Sequence, residues 1–224
     1  MHEVTNKQFT HLKIHTQYSI CEGALKTADL AKFCKTNQIK AVGLCDSNNL
    51  CGALEFSESI AKSKTQPIIG TQINIFYKGY SGKIPLFAKN LEGYKNLIKL
   101  SSKSFLAIKN DEEPHCKIED IETNYKGLIL LSGSFDGLIG KLFFKNLTDE
   151  IFLLFKKFYN IFKDNFYLEI QRHNDVGEKL FEKFILNVSE KLSIPIIATH
   201  EVFYLDKSMH EAHDAYLCIG EKTY

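Results

Sequence analysis

Apolar and polar positions along the chain fall into short blocks whose spacing switches between two and three to four residues, the periods of strands and helices. Residues 11–14 read as a strand leading into a polar turn. Thr27 stands where it would cap the next helix, on which Leu30, Phe33 and Cys34 share a face. Residues 41–44 form a brief apolar run ending in the polar loop 46–52, so they read as a buried strand, followed by a helix over 53–64. An isoleucine-rich strand is predicted at 67–77, with 84–89 pairing beside it through the turn 79–82. A helix over 91–105 takes Leu97, Ile98 and Leu100 as apolar positions, and 110–115 reads as a surface loop. Further along, strands are expected at 127–131, 166–171 and 194–199, and helices at 149–163, 178–191 and 208–219.

About seven strand signals interleaved with helices imply mostly parallel strands with helices outside, either as a barrel or as an open doubly wound sheet. In both architectures the chemistry gathers where strands end and loops begin. No G-x-G-x-x-G follows the first strand and no P-loop occurs, which removes most of the weight from nucleotide-fold readings. With no internal repeat, low-complexity stretch or long linker, residues 1–224 are expected to form one domain.

Composition narrows the function classes. The formal net charge is +1 and Arg172 is the sole arginine, so the domain by itself is expected to grip nucleic acid weakly. No apolar run is long enough to cross a bilayer, and the first residues lack a signal-peptide core, so a cytoplasmic location is expected. The six cysteines form no C-x-x-C pair and are expected to be free thiols.

Candidate chemistry begins on the first strand. Alternation puts His11, Lys13 and His15 on one face and Leu12 and Ile14 on the other. Three polar groups at a strand end suit a metal site or a buried polar cluster, but a protonated lysine amine cannot ligate a metal. Elsewhere the bland readings prevail. His173 is expected to be a solvated or hydrogen-bonded strand-end residue, and Arg172 a structural anchor. His210 and His213 share a helix face but lack the carboxylates a metal site would need.

The run His11-Leu12-Lys13-Ile14-His15-Thr16-Gln17-Tyr18-Ser19, with Glu22-Gly23-Ala24, resembles the opening motif of PHP domains in the alpha subunits of bacterial DNA polymerase III. The resemblance continues through residues 44–53, 67–70, 131–133, 167–173 and 195–201, in the same order and with similar spacing. It implies a distorted (β/α)7 barrel and, in active members, a cluster of metal ions at the strand ends that hydrolyses phosphoesters.

Carried over residue by residue, the resemblance implies a depleted site. His15 and Asp46 match a ligand histidine and a ligand aspartate. Lys13 and Ser47 stand in place of histidines, and Gln72 in place of a bridging glutamate. Phe105 falls at another histidine position, Ser134 at a cysteine and Phe203 at a late histidine. Glu201 lies where some members carry a ligand. At most one ion is expected, on His15, Asp46 and His200, because clustered divalent ions need several anionic or imidazole donors. Lys13 is expected to place its ammonium where a metal would sit and to pair with Asp46 and Glu201.

The resemblance thus implies the N-terminal part of a longer replicative polymerase, with no cofactor in this domain and magnesium at the polymerase centre elsewhere. Its implied role is a scaffold without catalysis, whose partners are the polymerase remainder of the same chain, the proofreading exonuclease subunit and, through the parent protein, DNA. The competing readings are a metal-dependent PHP phosphoesterase or 3′–5′ exonuclease, and a stand-alone binding module.

Overall fold

The computed structural model describes residues 9–109 and 112–223. The first residues of the chain and part of the loop expected at 110–115 lie outside the described residues. The chain forms β1 (Lys13–Ile14), α1 (Thr27–Thr36), β2 (Ala41–Ser47), α2 (Ala53–Lys62), β3 (Gln66–Tyr77), β4 (Tyr80–Ala88) and α3 (Leu91–Leu106). There follow β5 (Cys116–Lys117), α4 (Ile118–Thr123), β6 (Leu128–Leu131), α5 (Leu138–Phe144), α6 (Thr148–Phe162), β7 (Phe166–Ile170), α7 (Glu178–Leu192), β8 (Ile196–Ala198), β9 (Glu201–Val202) and α8 (His210–Glu221).

Hydrogen-bonded neighbours run β8-β7-β6-β4-β3-β2-β1-β9, with β5 added beside β3. The pairings β1–β2, β1–β9, β2–β3, β6–β7 and β7–β8 are parallel, while β4 runs antiparallel to both β3 and β6. Lys78 and Gly79, both at positive φ, make the tight turn of the β3–β4 hairpin, as a two-residue hairpin loop requires. The two ends of the sheet, β8 and β9, are separated in the chain by Thr199 and His200 alone. The sheet therefore curls back on itself as the expected distorted barrel, its last strand split between the two edges.

Alternation along the strands sorts side chains into an outer shell and an interior. Val42 and Leu44 of β2 pack outward with Leu30, Phe56 and Ile60 of α1 and α2. Leu128 and Leu130 of β6 and Phe166 and Leu168 of β7 face a larger apolar shell shared with α3 to α7. Facing inward, Cys45, Phe87 and Leu131 form a small cluster with Ile68, Ile129, Tyr167 and Ile197. This apolar floor fills one end of the barrel, and polar side chains fill the other.

Several local expectations change. Thr27 is the first residue of α1 rather than its cap, and its buried hydroxyl hydrogen-bonds Glu55 of α2, tying the two helices together. Ile98 is 42 % exposed, since α3 packs through Leu97 and Leu100. Helices α4 and α5 were not apparent in the sequence, being too short to develop a helical period. All six cysteines are free.

Candidate functional site

The polar end of the barrel is organised by strand register. Ile14 lies opposite Leu44, and Lys13 lies opposite Glu201. Lys13 is 1 % exposed, and its Nζ sits 3.0 Å from Oε1 of Glu169 and in contact with Oε1 of Glu201. Burial alone would lower the Lys13 ammonium pKa, but Glu169 and Glu201 outweigh it and raise it above the ordinary lysine value. The lysine is thus a fixed cation between two carboxylates.

Glu201 is the hub of this cluster. Its Oε2 lies 2.6 Å from Nε2 of His15, and the amide nitrogen of Gln72 donates to both its oxygens at 3.1 Å. Burial would raise its carboxyl, yet the Lys13 ammonium and His15 hold it well below the usual carboxylate range. Glu169 is wholly buried, and its Oε1 also accepts from Thr199 Oγ1 and, at 3.0 Å, from Gln171 Nε2. Its Oε2 is buried without a hydrogen-bond partner, so the cage holds more acceptor capacity than its donors fill.

The expected pairing of Lys13 with Asp46 does not occur, and register explains why. With Ile14 opposite Leu44, Asp46 comes level with Thr16, beyond the reach of Lys13. The Asp46 carboxylate accepts from the Thr16 backbone at 2.6 Å, the Thr16 hydroxyl at 2.8 Å and the Ser19 hydroxyl at 2.7 Å. Burial raises its pKa, and these donors counter the rise in part. Asp46 therefore fastens the loop after β1.

The remaining candidates divide. Ser47 hydrogen-bonds Glu22 and receives a bond from Lys83 at 2.9 Å, while Lys83 also pairs with Glu22 at 2.5 Å. Phe203 stacks on the His15 ring at 4.6 Å between centroids. Ser134 lines a cleft of about 370 Å³ above the cage together with Gln72, Lys83, Gln171, Glu201 and Phe203. Two candidates are not brought in. Phe105 is 51 % exposed on α3, and His200 is exposed and stacks on His173 rather than meeting His15 and Asp46. Partial desolvation of its ring and the neighbouring His173 lower the His200 pKa. His213 is buried and hydrogen-bonds the Glu22 carbonyl, which gives it a structural role.

Glu169 was missed as a site residue. Alternation on the strand 166–171 puts Tyr167, Glu169 and Gln171 on one face, so an acidic side chain on an interior face was the available signal. Glu22 was marked only as part of the opening motif, and Lys83 carried no mark at all.

This donor set does not fit the divalent cluster the resemblance implies. The carboxylates that could reach such ions already hold the Lys13 ammonium, and the Asp46 oxygens are occupied by hydroxyl and amide donors. Phe203 offers no lone pair in place of a histidine. Among the described residues, no group of three or more His, Cys, Asp or Glu side chains is placed to hold a metal.

The sequence pattern of the PHP domain family matches residues 11–173. The chain belongs to the PHP family. It is similar to the DNA polymerase III subunit alpha of Rickettsia bellii, with 38 % identity over 95 % of this PHP chain and 18 % of that protein. The subunit alpha of Caulobacter vibrioides is 33 % identical over 100 % of the chain and 20 % of its own length. The PHP chain thus spans about a fifth of the length of the curated relatives it matches. Among solved structures, a putative metal-dependent phosphoesterase from Bifidobacterium adolescentis superposes with a TM-score of 0.53 at 10 % identity, covering 94 % of this chain and 96 % of that one. An amidohydrolase from Chromobacterium violaceum gives 0.57 at 10 % identity, covering 93 % and 97 %. These two likenesses concern the fold. No helix among the described residues is long and apolar enough to cross a membrane.

Proposed function

We propose that this PHP domain is a non-catalytic structural module of a replicative DNA polymerase alpha subunit, working in the cytoplasm. The observation that carries the reading is Lys13. Its ammonium lies in the barrel mouth between Glu169 and Glu201, at a position for which the resemblance implies a metal-ligand histidine in the family's hydrolytic members. A buried lysine clamped by two carboxylates supplies permanent positive charge but no Lewis acidity and no activated water.

In this reading the barrel stabilises the polymerase remainder of the same chain and offers its surface to the proofreading exonuclease subunit. DNA is engaged through the longer protein, and magnesium belongs to its polymerase centre. The likeness to polymerase alpha subunits along nearly the whole chain supports this assignment. The competing reading is a metal-dependent phosphoesterase or 3′–5′ exonuclease.

The two readings separate in protein purified without chelator. Manganese and zinc content measured by mass spectrometry should be far below one ion per chain, and hydrolysis of bis(p-nitrophenyl) phosphate should match a buffer blank. Near-stoichiometric metal, with hydrolysis abolished by chelator, would overturn the scaffold reading.

A further inference from the structure

Two helix ends meet at the far end of the barrel from its mouth. α1 and α2 close with the same turn: the Ile39 N–H donates to the Cys34 carbonyl at 3.0 Å and the Thr65 N–H to the Ile60 carbonyl at 3.3 Å. The turns pass through Gln38 and Lys64 at φ +52° and +64°, where glycine would be the relaxed choice. The buried Thr65 hydroxyl donates to the Ile39 carbonyl, and the Gln66 backbone N–H to the Lys40 carbonyl, both at 2.8 Å, so the two loops are fastened side by side. They lead into the starts of β2 and β3, and Asp46 lies near the other end of β2.

A cleft of about 470 Å³ opens here, and its lining includes Lys35, Gln38, Ile39, Lys40, Lys62 and Lys64 but no carboxylate. All four lysines are exposed. Among the described residues, Lys35 and Lys64 enter no ion pair, and Lys62 makes an exposed one 3.7 Å from Glu58. The cleft at the mouth differs, since Asp136, Asp175 and Glu201 surround its Lys83. The net charge of +1 therefore conceals a local concentration of positive charge. The helix dipoles account for Lys35 and Lys62, in the last turns of α1 and α2. Lys40 and Lys64 lie beyond those turns.

The lining specifies the visitor. A polypeptide, including the remainder of a longer chain, would need an apolar anchor, and lysine is depleted where proteins meet. Ile39 is the one apolar residue that the cleft offers. A single nucleic-acid strand would need aromatic platforms for its bases, and the lining holds no aromatic ring. A duplex presents repeated phosphates on its outside, which flexible lysines meet as point charges. We propose that this cleft holds the phosphate backbone of a nucleic-acid duplex, bound by charge and without regard to base sequence. The proposal uses no residue of the barrel mouth and so stands apart from the scaffold reading.

The probe is fluorescein-labelled duplex DNA of roughly 15 base pairs, titrated with the chain and followed by anisotropy. Binding should be saturable at low salt and indifferent to base sequence, and the labelled strand alone should bind less tightly. Lys35→Gln/Lys64→Gln should weaken binding about tenfold with an unchanged melting curve, and should flatten the slope of log K against log salt by about 1.8. Lys179→Gln/Lys183→Gln, which removes the same charge from α7, should change affinity less than about twofold. Equal losses from the two pairs would overturn the proposal, as would a poly-glutamate peptide that displaces the duplex at equal charge concentration. In the full-length polypeptide, acetylation of Lys35 and Lys64 should be slowed by added duplex. If these amines are already protected without DNA, the remainder of the chain covers the cleft and the proposal fails.

Discussion

On β7, Phe166 and Leu168 point outward into the apolar shell, while Tyr167 and Glu169 point inward. The same few residues therefore help to build two differently held regions. The outer shell gains stability from apolar area removed from water, an interaction without direction that tolerates exchange between side chains of similar volume. The barrel mouth depends on Lys13, Glu169, Glu201, His15 and Gln72 meeting in one arrangement, and each buried charge is tolerable only while its partner stays. The shell can be remodelled gradually, whereas the mouth holds or fails as a unit.

The largest expected effect comes from installing methionine in both regions. Lys13→Met leaves Glu169 and Glu201 without their counter-ion and should cost roughly 3–5 kcal/mol in urea unfolding. Leu130→Met in the shell should cost less than about 1.5 kcal/mol. Equal losses would erase the contrast.

A cycle sharpens it further. Lys13→Met/Glu169→Gln should recover part of the Lys13→Met loss, with a coupling of about 0.5–3 kcal/mol. Lys13→Met/Asp46→Asn should come closer to the sum of its singles, because Asp46 is bonded to Thr16 and Ser19. Stronger coupling to Asp46 than to Glu169 would restore the pairing that the strand register argues against.

Acid separates the regions by a different route. The folded-state pKa of Glu201 is depressed, so its contribution is complete above the ordinary carboxylate range and fades as pH falls toward the depressed value. Wild type should therefore exceed Glu201→Gln in stability at neutral pH, and the gap should narrow on acidification. A gap constant from pH 7 to pH 3 would show that the carboxylate charge contributes nothing.

The smallest effect is expected at the rim, where Lys83 and Glu22 are each about one-third exposed. Lys83→Ala should cost no more than about 1 kcal/mol, and less in high salt. A larger loss would place this pair with the buried cluster.

Much of this was legible in the sequence. The strand and helix blocks appeared because alternating and amphipathic runs record which face is buried, and the inward polar face of Lys13 and His15 followed from the same alternation. The partners of Lys13 were not legible. Parallel register is decided by long-range pairing, and one step along β2 separates the inward Cys45 from Asp46. Glu169 stands far along the chain from Lys13, in a run whose alternation identified its face but not its neighbour. Phe105 looked like a site residue by its place in the motif order, yet the helical turn of α3 carries it to the outer surface. Short helices such as α5 gave no periodic signal before their apolar residues met the sheet.

The split last strand gives the length of the Thr199–His200 joint an unexpected importance. β8 reaches the joint in step with β7, and β9 leaves it in step with β1, so this dipeptide determines which residue arrives opposite Lys13. One added residue would shift the closing strand by a single place and bring a neighbour of Glu201 to the lysine, with its side chains turned inside out. The charge pairing at the barrel mouth is thus written as a distance along the backbone, in a joint that itself carries no charge in the cage.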